Sequence, residues 1–224
     1  MNRIEFVSYL FGAIFLLIGG GASSAADDDL CAPFQDGRID STVMSTMLNA
    51  AEAGYLYRIQ PSTSKVGFCV NSKFREVKGV FRDFQGGIAL PPDTGRTAQT
   101  VVVIRTNSLD TDGALVENII RSPRFFDVEN FPEILFVSTD FHWVTPNRGV
   151  LRGDLTLHGV TKPVVFNVEL VSEGTRGVGK AETIVVKATT SIKRSDFGMD
   201  TLSSLVSDSV QLCMSVAAKR YREA

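Results

Sequence analysis

Histidine is almost missing from this sequence: His142 and His158 are the only two in 224 residues. A Ser-His-acid relay needs a histidine beside its nucleophile, and no glycine-flanked serine elbow accompanies either one. His142 falls inside Phe141-His142-Trp143 and His158 stands at a strand end before Gly159, so both read as surface or turn residues. Cysteine is nearly as scarce, and Cys31, Cys69 and Cys213 lie too far apart for a zinc or haem motif. No glycine-rich phosphate loop is present, and Gly177-Val178-Gly179 reads as a hairpin tip. A net charge of −2 with no basic stripe argues against nucleic acid as a partner. Asp110 and Asp112 could face a cation, but turn and helix-cap duty accounts for them more simply. With no specific catalytic or metal constellation, the chain reads as a non-enzyme, and no cofactor is expected.

A long hydrophobic run is lacking too. A bilayer span needs roughly 20 predominantly apolar residues, and the run from Val7 to Ile18 gives way to the glycines and small residues of Gly19 to Ala26. Arg3, that apolar run, the small residues and then Asp27-Asp28-Asp29 follow the order of a secretory signal peptide. Residues 1–26 are therefore expected to be removed, with cleavage after Ala25 or Ala26. Cys31 is preceded by Asp29-Leu30 rather than a small-residue pair, so no lipid anchor is expected. The product should be periplasmic or otherwise secreted, without stable membrane insertion, and able to form disulfides.

Two periodicities divide the remainder. Residues 27–54 form an extension in which Val43, Met44, Met47, Leu48 and Ala51 recur at helical spacing, with Asp40 placed to cap the helix and Gly54 to end it. From Tyr55 the period drops to two: Val66, Phe68 and Val70 alternate with more polar neighbours, as do Val164, Phe166, Val168 and Leu170, and then Val210, Leu212, Met214 and Val216. Further β-rich runs fall at about 80–90, 100–106, 134–144, 150–158 and 183–192, punctuated by Pro91-Pro92-Asp93-Thr94-Gly95, Pro146-Asn147-Arg148-Gly149 and His158-Gly159. Short turns between successive strands make neighbours antiparallel. One interior connection, Gly113 to Arg121, has helical character and stops at Pro123. About eight such strands predict an all-β domain over 55–218, as a barrel or a sandwich.

What the sequence has in quantity is phenylalanine, with fifteen residues, several of them in Phe125-Phe126-Asp127-Val128-Glu129-Asn130-Phe131-Pro132. Singly these complete a core; as a group they suggest a lined cavity. Four segments then resemble the YceI-like family of exported lipid-binding proteins. These are Gly79-Val80-Phe81-Arg82-Asp83-Phe84-Gln85-Gly86; Ser122-Pro123-Arg124-Phe125-Phe126-Asp127-Val128 with Phe131-Pro132-Glu133-Ile134 and Phe136; Gly153-Asp154-Leu155-Thr156-Leu157-His158-Gly159-Val160-Thr161-Lys162-Pro163-Val164; and Arg194-Ser195-Asp196-Phe197-Gly198-Met199. The resemblance implies an extended eight-stranded antiparallel lipocalin-like barrel with a helix in one connection, enclosing a polyisoprenoid, quinone or similar long apolar lipid. The chain departs from the family's usual Arg-Asp-x-His-Leu run, showing Val116-Glu117-Asn118-Ile119-Ile120, and from two common histidine positions, showing Thr63-Ser64 and Ser72.

For such a barrel the expected ligand wall is the inward phase of the strands: Val66, Phe68, Val70, Phe136, Leu155, Leu157, Phe166, Leu212 and Met214. Phe125, Phe126, Phe131, Phe197 and Met199 are expected near the mouth. Cys69 and Cys213 fall on the opposite phase and could bridge if the first and last strands adjoin. The leading reading is an extracytoplasmic carrier of a small apolar lipid, with a homodimer as a further option. The alternative is a non-catalytic interaction protein whose barrel is packed solid and whose amino-terminal helix binds a partner.

Overall fold

Strands with one apolar face bury it most completely when they lie side by side around a shared interior. The computed structural model describes residues 39–91, 98–173 and 181–222. The expected signal peptide, Cys31, the Pro92–Gly95 turn and the Gly177–Gly179 tip lie outside them. A helix α1 (Ser41–Glu52) precedes β1 (Leu56–Ile59), β2 (Lys65–Ser72), β3 (Glu76–Phe81), β4 (Phe84–Ala89), β5 (Gln99–Arg105) and β6 (Leu109–Thr111). A second helix α2 (Ala114–Arg121) leads to β7 (Glu133–Thr145), β8 (Arg148–Leu157), β9 (Val160–Glu173), β10 (Thr183–Lys193) and β11 (Val206–Arg220).

All pairings are antiparallel, in the order β1-β4-β5-β7-β8-β9-β10-β11-β2-β3-β6, and β1 also pairs with β11, which closes the ring. The eleven segments make eight courses, because each of the first three courses is broken once. β1 and β2 are separated by the turn at Pro61–Thr63, β3 and β4 by Arg82-Asp83, and β5 and β6 by Thr106–Ser108. The halves pair consistently across the breaks, β1 with β4 and β2 with β3, then β4 with β5 and β3 with β6. The second and third breaks are joined by Arg82 N–H to the Ser108 carbonyl at 3.1 Å and Arg105 N–H to the Asp83 carbonyl at 3.0 Å. The fold is thus the eight-stranded up-and-down antiparallel barrel.

Two connections shape the ends of the barrel. The β8–β9 turn is tight, with His158 at φ 52° and Gly159 at φ 73°, the left-handed pair that matches strand twist in a two-residue hairpin. The longer passage from β6 to β7 carries α2, whose Arg121 Nη2 donates to the Leu109 carbonyl at 2.6 Å. It then turns through Asp127, held at φ 47°, with the Asn130 amide donating to its carboxylate at 2.9 and 3.1 Å. That turn buries the Phe125 and Phe126 side chains.

Helix α1 forms where the period of its apolar residues and the Asp40 cap place it. The Asp40 carboxylate accepts from the Thr42 N–H at 2.7 Å, and hydrogen bonding to the Thr42 side chain, then to its N–H, holds that carboxyl below its usual range. Gly54, at φ 73°, follows its last turn. Met47 and Ala50 are buried, and α1 contacts β4, β1 and β5. Met47 and Ala50 are thus covered by the helix's own barrel, while Leu48 stays exposed.

Candidate functional site: an apolar hollow through the barrel

The inward phase of the strands does not meet in the middle. It surrounds a cavity of about 440 Å³, within the usual range of roughly 300–1,000 Å³ for small-molecule pockets. Its wall takes in Val66, Phe68 and Val70 from β2, Phe136 from β7, Leu155 and Leu157 from β8, Phe166 from β9, and Leu212 and Met214 from β11. Phe125, Phe126 and Met199 complete the expected set near one end. Phe126 stands 5.8 Å from the Phe68 ring and 5.7 Å from Phe81, an aromatic cluster that closes one side of the space. Gly79 makes room for it: a Cβ there would lie 2.4 Å from the Phe68 ring, so no larger residue fits without pushing that ring aside.

Two expected wall residues are placed elsewhere. Phe131 stacks edge-on against His158, ring centroids 4.6 Å apart, and packs over Gly159 outside the hollow. Phe197 is fully buried in the core but does not line the cavity; its carbonyl meets His158 Nδ1 at 3.1 Å. Both are drawn to the β8–β9 turn. His142 lies on the outside, 3.5 Å from the Asp140 carboxylate and half exposed. Among the described residues no cluster of His, Cys, Asp or Glu is placed to hold a metal ion.

The wall's few polar members are informative. Arg194 lines the cavity yet is only 4% exposed. Its guanidinium donates to four main-chain carbonyls: Nε to Ser207 at 3.0 Å, Nη1 to Met199 and to Thr201 at 2.8 Å, and Nη2 to Val206 at 3.2 Å. It also stands 6.0 Å over the Phe125 ring. No carboxylate pairs with it among the described residues; carbonyl dipoles disperse the charge instead, and in doing so they fasten the segment from Met199 to Ser207 against the barrel. The adjacent Ser195 N–H and hydroxyl both donate to Asp208, at 2.9 and 2.8 Å, and hold that carboxyl below its ordinary value.

A protein-family model described as the YceI-like domain matches residues 57–218. The chain belongs to the YceI-like family. A UPF0312 protein of Vibrio cholerae is 32% identical over 73% of this chain and 87% of its own length. Among solved structures, Burkholderia cenocepacia BcnA superposes with a TM-score of 0.65 at 22% identity, covering 72% of this chain and 99% of BcnA. A polyisoprenoid-binding domain from Saccharophagus degradans superposes with a TM-score of 0.55 at 18% identity, covering 73% of this chain and 98% of that domain. At these identities both structures establish the fold.

Within this YceI-like barrel, sequence reasoning misses part of the wall. Val102 and Ile104 on β5, and Ile184 and Val186 on β10, face inward. They belong to the unbroken apolar runs Val101 to Ile104 and Ile184 to Val186, in which alternation declares no face. Phe141 and Trp143 also line the cavity, their rings 4.9 Å apart. Counting by twos from Phe136 turns them outward. A bulge between Ser138 and Asp140 inserts one residue and reverses the phase. Phe74, Leu202 and Leu205 line one end from turns, where no periodicity could reveal them.

Cys69 and Cys213 share one face of adjoining strands, as their parity implies, but both are free thiols in the structure. Cys69 stands opposite Gln211 and Cys213 opposite Gly67, an offset of two residues. Burial, then the Glu76 charge and Cys213 itself, raises the Cys69 thiol above its usual pKa, against the pull of Lys78.

Proposed function

We propose that this protein is a non-catalytic carrier that holds a long apolar lipid, of polyisoprenoid or prenyl-quinone type, inside its barrel and works outside the cytoplasm. The observation that carries this reading is the hollow itself, walled by aliphatic and aromatic side chains from every course of the barrel. Each buried methylene contributes ~0.8 kcal/mol, so a five-carbon prenyl unit gains roughly 4 kcal/mol before binding costs, with no charged partner needed. The Saccharophagus degradans neighbour is described as a polyisoprenoid-binding domain, a ligand class whose slender shape suits an eight-stranded interior. The extracytoplasmic setting rests on the signal-peptide pattern of residues 1–26. The competing reading, a solid barrel with a free helix, meets a hollow interior and an α1 whose Met47 and Ala50 are already buried.

Trp143 supplies the test, because it is the only tryptophan in the chain and lines the cavity. Titrating delipidated protein with a polyprenyl alcohol should shift Trp143 emission to shorter wavelength and saturate. A prenyl quinone should quench the same emission. An emission unchanged by either ligand would end the carrier reading.

A further inference from the structure

The apolar surface of the cavity does not stop at its mouth. Phe74, at the tip of the β2–β3 hairpin, is 83% exposed, and Leu115, on the first turn of α2, is 75% exposed. Ile119 of α2, with Leu202 and Leu205 of the segment before β11, are exposed as well. Phe74, Ile119, Leu202 and Leu205 at the same time line the hollow. The hairpin tip is fixed to the neighbouring segment by Lys73 N–H donating to the Leu205 carbonyl at 2.9 Å, and internally by the Ser72 hydroxyl donating to the Arg75 carbonyl at 2.7 Å. Clustered exposed apolar side chains on a soluble domain mark a surface that meets something.

We propose that this rim docks on an anionic phospholipid bilayer, so that ligand passes between membrane and cavity without crossing water. The proposal rests on the carrier reading. Charge favours the bilayer as the occupant. Glu76 is paired with Lys78 and Glu117 with Arg121, whereas Lys73 and Arg75, which flank Phe74, have no ion-pair partner among the described residues. An aromatic tip between two such cations suits an interface where rings enter the headgroup boundary and ammonium or guanidinium groups meet lipid phosphates. A second copy of the chain suits it poorly. A two-fold contact through this rim would seal the mouth against ligand. The continuity of rim and wall adds a physical reason for contact, since a prenyl chain released into water forfeits the burial that held it.

The test uses residues of the rim that do not line the cavity. Wild-type protein should float with vesicles of phosphatidylethanolamine and phosphatidylglycerol, and less so with phosphatidylcholine vesicles or in high salt. The double substitution Lys73→Glu with Leu115→Ser should weaken flotation by about tenfold or more while the Trp143 response to polyprenyl alcohol stays as in wild type. Both positions are exposed, and a thermal melt matching wild type confirms folding. Wild-type protein that ignores anionic vesicles, flotation indifferent to salt, or a double variant that floats like wild type would each overturn the proposal. So would sedimentation velocity showing a wild-type dimer that Leu115→Ser splits, which would assign the rim to a second copy. If Trp143 responds to no ligand in any form, the carrier reading fails first, and the flotation result stands apart from it.

Discussion

Placing phenylalanine at Ala188 and Val168 together will weaken ligand binding severely and leave the barrel folded. The two positions are direct cross-strand partners on β10 and β9, and both point into the hollow. Added rings there enter empty space rather than an already packed core, so the strain that normally accompanies small-to-large changes is largely avoided. Denying the ligand the room for about four methylenes removes roughly 3 kcal/mol of burial, about a hundredfold in affinity. The expected pattern is a Trp143 titration displaced by two orders of magnitude, with a melting temperature at or above that of wild type. Undiminished binding would mean that the ligand sits somewhere other than between β9 and β10.

The second large effect is expected at Arg194. Replacement by methionine keeps much of the side chain's apolar bulk and removes every guanidinium donor, leaving the Met199, Thr201, Val206 and Ser207 carbonyls without their partner. Each buried carbonyl left unsatisfied costs about 1–3 kcal/mol, part of it recovered where water reaches the rim. A net loss of about 3–5 kcal/mol is expected in urea unfolding, with faster hydrogen exchange across 199–207 as its local signature. Lysine at 194 should recover less than half, because a point charge cannot serve carbonyls on several sides as a planar fork does. A loss below about 1 kcal/mol would show that the segment is held by something other than this cage. The same segment carries Leu202 and Leu205, so loosening it should also degrade one end of the cavity.

One regularity, the period of two, makes much of this barrel legible in its sequence. Wherever a strand runs without interruption, parity assigns its faces correctly: Val66, Phe68 and Val70 turn inward together, and so do Leu155 and Leu157, because a strand cannot rotate one residue without rotating all of them. What parity cannot see is an interruption. The bulge after Ser138 moves Phe141 and Trp143 to the inner face. The breaks at Arg82-Asp83 and Thr106–Ser108 divide single courses in two, and only Pro61 announces its own. Register is equally hidden, since pairing of β11 with β2 shifts between Val206 and Val210. Parity puts Cys69 and Cys213 on one face without fixing their two-residue offset.

Composition is a weaker guide than position. Phe126 and Phe131 belong to the same run, yet the turn around Asp127 sends the first into the aromatic cluster with Phe68 and the second onto His158. Hydrophobicity alone does not separate them. The exposed residues at the mouth are invisible for the opposite reason: Phe74 and Leu202 sit in turns, where an apolar side chain has no pattern to belong to. The departures from the family at Val116–Ile120 and Ser72 fall at the cavity, since Val116, Ile119, Ile120 and Ser72 all line it.

The most direct test is native mass spectrometry of the protein purified from its host without detergent, followed by organic extraction of the same sample. A folded mass above that of the polypeptide, with an extract containing a prenyl or comparably long apolar lipid, is the predicted result. A bare polypeptide mass, from a barrel that also takes up no polyprenyl alcohol afterwards, would contradict a lipid-carrying role.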